Sequence, residues 1–236
     1  MDLLPMADLH THALIPMYYY RRKLETPSPR TLFLPWGPLG THIDLPGLKV
    51  SGVKCMVFCV YAFNRLPHAN CFENAKAQIR VFETWVAAHS EVLAHAKTPS
   101  EIQPIIQSGR TAAILALEGG HHIGNDLENV AYFKSKGIFY VTMVHFINTP
   151  VGDTFLTGAF SSNRGLRPFG RELLRTLEAQ GLIVDVAHAS EKGFWDMLEH
   201  STKPPIFSHG ACRTVCGHSR NLSDEQSREM IKKEGL

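Results

Sequence analysis

The chain has almost no excess of charge: its 236 residues sum to a formal +2 at pH 7. Such a balance gives no electrostatic footprint for a nucleic acid or an anionic membrane surface. Long apolar runs are also missing. None approaches the ~18–20 residues needed to span a bilayer. Met1 to His10 carries no Lys or Arg ahead of its apolar stretch and does not read as a secretory signal, so a cytoplasmic location is expected. Cysteine is sparse and odd in number (Cys55, Cys59, Cys71, Cys212, Cys216) with no C-x-x-C spacing, which argues against a disulfide framework and for reduced thiols. No repeat or low-complexity tract is present. The sequence also lacks G-x-G-x-x-G, a Walker-type phosphate loop, G-x-S-x-G and H-E-x-x-H. With 44% hydrophobic and 19% charged residues, the chain is an ordinary globular mixture sized for one large domain.

Short apolar runs alternate with helical patterns, the signature of a parallel α/β sheet. Six candidate strands are Leu3 to Leu9, Val53 to Tyr61, Thr111 to Leu117, Ile138 to Val144, Leu182 to Ala187 and Pro205 to Ser208. Their near-continuous apolar character predicts burial on both faces. Helical patterns occupy Asn70 to Lys97 (one long helix or two shorter ones), Asp126 to Lys136, Pro168 to Gln180, Ser190 to Glu199 and the stretch after Ser223. Thr98 to Glu101 and Ser223 to Gln226 have the form of capping boxes, and Gly137 and Gly181 mark helix stops. The Pro- and aromatic-rich stretch 13–50 reads as a long loop over one end of the sheet.

Histidine is the compositional oddity, at 13 residues. What matters is where they fall. The first strand runs into Asp8-Leu9-His10-Thr11-His12 and the third into Glu118-Gly119-Gly120-His121-His122. The fourth, fifth and sixth end at His145, His188 and His209. In a (β/α)8 barrel such ends converge on one face, where the active site sits. His42, His68, His89, His95, His200 and His218 read as scattered background. Residues i and i+2 of a strand share a face, so His10 and His12 can reach one cation. With Glu118, His188 and His209 they offer four imidazoles and one carboxylate. That is too many donors for one open tetrahedral zinc and suits two divalent ions sharing a carboxylate. Imidazole-rich ligation favours zinc. His145 is surplus to this set and reads as a group that binds substrate or polarises its carbonyl. His121 and His122 are weaker ligand candidates, one of them expected to hydrogen-bond within its own loop. A Cys212 or Cys216 nucleophile is disfavoured because the neighbouring His209 is already assigned to metal. The Asn221-Leu222-Ser223 sequon reads as chance.

Several motifs taken together resemble the membrane (renal) dipeptidase family. They are Glu118-Gly119-Gly120-His121, Thr142-Met143-Val144-His145, Asn148-Thr149-Pro150, Gly165-Leu166-Arg167-Pro168-Phe169-Gly170, Asp185-Val186-Ala187-His188, Ser208-His209 and His218-Ser219-Arg220-Asn221-Leu222. The resemblance runs from about Thr111 to Leu236 and is one of layout in the first half. It implies a (β/α)8 barrel with two zinc ions bridged by Glu118, His188 and His209 on the second ion and His10 on the first. It also implies that His145 steadies the developing oxyanion and that Arg220 holds the substrate's terminal carboxylate. Glu118 and His145 are then the candidate catalytic residues. The implied reaction is hydrolysis of dipeptides by a hydroxide bridging the metals, with a homo-oligomer as the one protein partner left open. At strand one the family has His-x-Asp, whereas this chain has His10-Thr11-His12, which raises the site's charge by one.

H-x-H is also the form found in the wider amidohydrolases. Lactone, acyl-amino acid or phosphoester hydrolysis is therefore an alternative, as is a catalytically inactive relative. Asp8 to His12 alone resembles the opening motif of the polymerase-and-histidinol-phosphatase phosphoesterases, a minor alternative because the downstream motifs do not follow. The whole of 1–236 is expected to be one barrel domain, truncated after about six βα units, with its C-terminal strands missing and no activity on its own.

Overall fold

The computed structural model describes residues 4–27, 43–62, 70–156 and 163–236. His42, His68 and the prolines at 29, 35 and 38 lie outside the described residues. Among the described residues are six strands and eight α-helices, in an α/β arrangement with parallel pairing. The chain forms two compact units, Met1–Ala62 with Glu73–Leu115, and Phe63–Phe72 with Ala116–Leu236.

The first unit holds β1 (Met6–Thr11), α1 (Leu14–Tyr19), α2 (Leu45–Val50), β2 (Val53–Val60), most of α3 (Cys71–Ala88), β3 (Leu93–His95), α4 (Pro99–Gln107) and the start of β4 (Thr111–Glu118). Strand β1 pairs with β2 in parallel, Ala7 opposite Cys55 and Thr11 opposite Phe58. An aromatic cluster sits in its largely aliphatic core. Phe58 packs against Phe82 and Trp85 with ring centroids 5.2 and 5.9 Å apart. Phe58 and Phe82 are fully buried, each worth about 1.5–3 kcal/mol by transfer alone.

Three expectations are corrected in this unit. The stretch 13–50 is not all loop: it contains α1 and α2, the latter capped by Asp44, whose carboxylate accepts Gly47 N at 2.7 Å. The helical pattern from Asn70 stops at Ala88, and Leu93 to His95 form a strand of three residues, paired with Thr111 to Ala113. Two apolar residues carry no legible period, so a strand this short is lost inside the helical pattern. The Thr98 box does not close: Pro99 does open α4, but Thr98 makes no side-chain cap, and Glu101 Oε2 accepts Lys97 N at 2.8 Å instead.

The second unit holds the end of β4, a 3₁₀ turn at Gly120–Ile123, α5 (Asn129–Ser135), β5 (Ile138–Thr142), α6 (Pro168–Ala179), β6 (Ile183–Asp185), α7 (Glu191–His200) and α8 (Asp224–Lys232). Tyr140 to Thr142 pair in parallel with Ile183 to Asp185. Leu173, Leu174 and Leu177 are fully buried along α6, as are Phe133 and Met197. The Ser223 box closes as expected: Ser223 Oγ accepts Gln226 N at 3.1 Å, and Gln226 Oε1 accepts Ser223 N at 2.8 Å. The expected sixth strand shrinks to a single bridge between Ile206 and Asp185. Pro204 and Pro205 lead into it, and without N–H groups neither can extend a ladder. Among the described residues, no helix is long and apolar enough to cross a membrane.

Candidate metal centre

Glu118 ends β4, and the two glycines after it set how the chain leaves the strand. Gly119 has φ +111, and a Cβ there would lie 2.3 Å from the His121 ring. A Cβ on Gly120 would lie 2.9 Å from the Met143 carbonyl oxygen. Only glycine permits this left-handed turn and close approach. Gly119 N and Gly120 N bond to Thr142 O and Met143 O at 2.9 and 3.0 Å, so the exit is fixed against β5. His122 Nδ1 donates to Gly119 O at 2.6 Å, the intra-loop bond expected of one of this pair, and burial pushes its pKa well below the usual value.

The second unit brings Glu118, His188 and His209 together, their donor atoms all within 4.8 Å of one another. His188 Nε2 and His209 Nε2 are 2.8 Å apart and lie 3.2 and 3.5 Å from Glu118 Oε1. Glu118 is fully buried and His188 nearly so. Burial pushes His188 down to about 3, with Arg220 and His145 adding to the effect and Glu118 opposing it, so His188 is neutral at neutral pH. His188 also has φ +64, an uncommon conformation for a residue with a Cβ, and such strain clusters at functional sites. A carboxylate and two imidazoles converging at these distances suit a borderline divalent cation.

His145 is buried with Nε2 3.3 Å from Glu118 Oε1, and its ring centroid is 4.4 Å from that of His188. Arg220 is half-buried between Phe155 and Phe207, its guanidinium carbon 5.9 and 5.5 Å from their centroids. Its Nη2 donates to His209 O at 2.9 Å, while Nη1 has no hydrogen-bond partner among the described residues. Burial lowers the Arg220 pKa, opposed by Asp185 and Glu118.

In the first unit, His10 Nε2 and His12 Nε2 lie 3.3 Å apart, the shared face expected of an i, i+2 pair. His10 Nδ1 is 3.1 Å from Cys59 Sγ, a contact that sequence spacing could not reveal. Of the background histidines, His89 and His95 are engaged elsewhere. His89 pairs with Glu25 at 2.9 Å, and His95, which lies on a strand after all, stacks edge-on against Phe82. His218 is closer to the site than expected, its Nδ1 accepting Arg220 N at 3.1 Å. Asn221 is buried, with Oδ1 accepting Ala211 N and Nδ2 donating to Cys216 O, so its side chain is unavailable for glycosylation. Two groups beside the trio carried no assigned role in the sequence, Asp185 and Ser208, although both sit in the quoted motifs.

The sequence model of membrane dipeptidase, peptidase family M19, matches residues 4–236. The chain belongs to this family. It is 28% identical to the dipeptidase tcpJ of Claviceps purpurea over 212 residues, 86% of this chain and 50% of that protein. It is 32% identical to the dipeptidase verJ of Clonostachys rogersoniana over 205 residues, 82% of this chain and 52% of that protein. The chain thus spans about half the length of these two relatives. Two solved structures share the fold over the whole of this chain. A metallopeptidase from Rhodobacter sphaeroides liganded with a phosphinate mimic of L-Ala-D-Ala has TM-score 0.82, 22% identity and 73% of its own length covered. The M19 dipeptidase AC has TM-score 0.85, 24% identity and 71% covered.

Proposed function

We propose that this chain carries the metal site of a zinc-dependent dipeptidase built on a (β/α)8-type barrel, of which it supplies about six βα units in one domain. The observation that carries the reading is the convergence of Glu118 at the end of β4, His188 just past β6 and His209 just past the Ile206 bridge. These three would hold one divalent ion. His10 and His12 would serve a second, as the family resemblance implies. The ions would supply Lewis acidity and draw the pKa of a water down toward ~7.

The chain's own residues would do the rest. Glu118 would anchor the ion it holds with His188 and His209 and fix the nucleophile's position. His145 would present a ring N–H to the substrate carbonyl oxygen as it gains charge. Arg220 would clamp the substrate's terminal carboxylate through Nη1, with Nη2 already engaged on His209 O. A planar guanidinium suits that task better than an ammonium. The Rhodobacter sphaeroides enzyme's phosphinate dipeptide mimic supports a dipeptide as substrate. The five thiols, none in a disulfide, fit a reducing compartment such as the cytoplasm.

The test is a substrate screen on zinc-loaded protein, with dipeptides set against acyl-amino acids, lactones and phosphoesters. Selective turnover of dipeptides is expected, and it would overturn the expectation that 1–236 is inactive on its own. Preference for another class would move the chain to a different hydrolase reaction, and zinc binding without any turnover would make it an inactive relative.

A further inference from the structure

His209 is wired to a buried carboxylate through a single hydroxyl. Asp185, the last residue of β6, is fully buried. Its Oδ1 accepts Ala187 N at 3.1 Å and Ser208 N at 3.0 Å. Its Oδ2 accepts Thr142 Oγ1 at 2.6 Å and Ser208 Oγ at 2.7 Å. Ser208 Oγ lies in turn 2.8 Å from His209 Nδ1. A carboxylate only accepts, so the one hydroxyl proton of Ser208 is committed to Asp185. The oxygen therefore faces Nδ1 with a lone pair, and the bond forms only if Nδ1 carries a proton. In the neutral ring, which has one N–H, Nε2 is then bare. We propose that Asp185 and Ser208 are positioning residues that hold His209 in its Nδ1–H form and so aim the Nε2 lone pair at Glu118 and His188.

The rest of the geometry agrees. Ser208 is clamped at both its backbone N–H and its hydroxyl by one carboxylate, which fixes its rotamer, and Thr142 ties the same carboxylate to the end of β5. His188 is held differently, by its left-handed backbone and by packing against the rings of His145, Phe146 and Phe155. Its Nδ1 has no hydrogen-bond partner among the described residues. With His209 Nε2 bare and 2.8 Å away, His188 carries its own proton on Nε2 in the metal-free protein and donates it across that gap. The two rings are thus opposite tautomers, one pre-set for a metal and one not. Outer hydrogen-bonding partners of metal-bound histidines typically influence affinity 10–100-fold.

The inference rests on the proposed metal site for its consequence, but its core is testable without metal. Long-range ¹H–¹⁵N correlation spectra of the metal-free full chain at pH 8 read each histidine tautomer. His209 is expected with its proton on Nδ1 and His188 with its proton on Nε2. Ser208→Ala should shift His209 toward the Nε2–H form and weaken zinc binding, measured by chelator competition, by about 10–100-fold. Ser208→Thr keeps the hydroxyl and should restore both. A wild-type His209 protonated on Nε2 would overturn the proposal, whether or not Ser208→Ala folds. So would a folded Ser208→Ala with unchanged tautomer and unchanged zinc affinity. If the wild-type chain binds no zinc, the proposed function fails while the tautomer spectrum still decides this proposal.

Discussion

Glu118→Gln should change stability in opposite directions with and without metal. Glu118 is fully buried among three imidazoles, of which His188 is held neutral by burial. A carboxylate in such a place loses its hydration, which after relaxation costs several kcal/mol. The guanidinium of Arg220 and the surrounding dipoles return part of this. Glutamine keeps the shape and removes the charge, so the metal-free variant should gain about 1–2 kcal/mol, the low end for relieving buried charge. For a chain of this size 1 kcal/mol moves Tm by about 2–4 °C, so the melting point should rise by about 2–8 °C. Zinc reverses the order. At 100 times Kd a ligand adds about 2.7 kcal/mol to the protein that binds it, or roughly 5–11 °C, and Glu118→Gln should forfeit most of that gain. Differential scanning calorimetry of both proteins, with chelator and with zinc, gives all four melting points. A variant that melts lower than wild type in chelator, or that gains as much from zinc as wild type does, would refute the reasoning.

His145→Ala should lower turnover by about 10²–10³-fold with zinc content unchanged, because His145 touches Glu118 from outside the trio of mutually close donors; loss of one ion on elemental analysis would make it a ligand instead. Arg220→Lys should raise KM for dipeptides by roughly tenfold to a hundredfold, the worth of a charged hydrogen bond, and change KM for C-terminally amidated dipeptides far less; equal effects would remove Arg220 from carboxylate recognition. Glu25 accepts from Trp85 Nε1 at 3.1 Å and pairs with His89, whose hydrogen bond holds the Glu25 pKa below its ordinary 4.5. Its contribution is present above pH 4.5 and is lost as pH falls through the lowered folded value. The carboxylate is partly exposed and screened, so Glu25→Gln should lower Tm at pH 7 by at most about 4 °C, with the difference vanishing in acid; a difference that persists there would refute the assignment.

The central strands were legible because their apolar runs are long and bounded by helix signals, as in Thr111 to Leu117. The strand-end histidines were legible for the same reason: once a strand has a clear end, the residue beyond it has an address. Short elements were not. Leu93 to His95 has too few residues for a period, and Pro204 and Pro205 cut the sixth strand to one bridge. Of the candidate site residues, His10, His12, Glu118, His145, His188 and His209 could be picked out because imidazole and carboxylate at the ends of apolar runs have few other uses. Asp185 could not. Its partners are two backbone N–H groups and two hydroxyls, none of which announces itself in a sequence, and the Ser208 link to His209 exists only in the folded arrangement. Cys59 against His10 was hidden in the same way, by 49 residues of separation.

The central claim is that Glu118, His188 and His209 hold a divalent ion. Elemental analysis of the purified chain, wild type beside the double variant His188→Ala/His209→Ala and each equilibrated with zinc and then desalted, tests it most directly. The account predicts zinc retained by wild type, and at least one equivalent less in a double variant that still melts cooperatively. Equal zinc in the two folded proteins would contradict it.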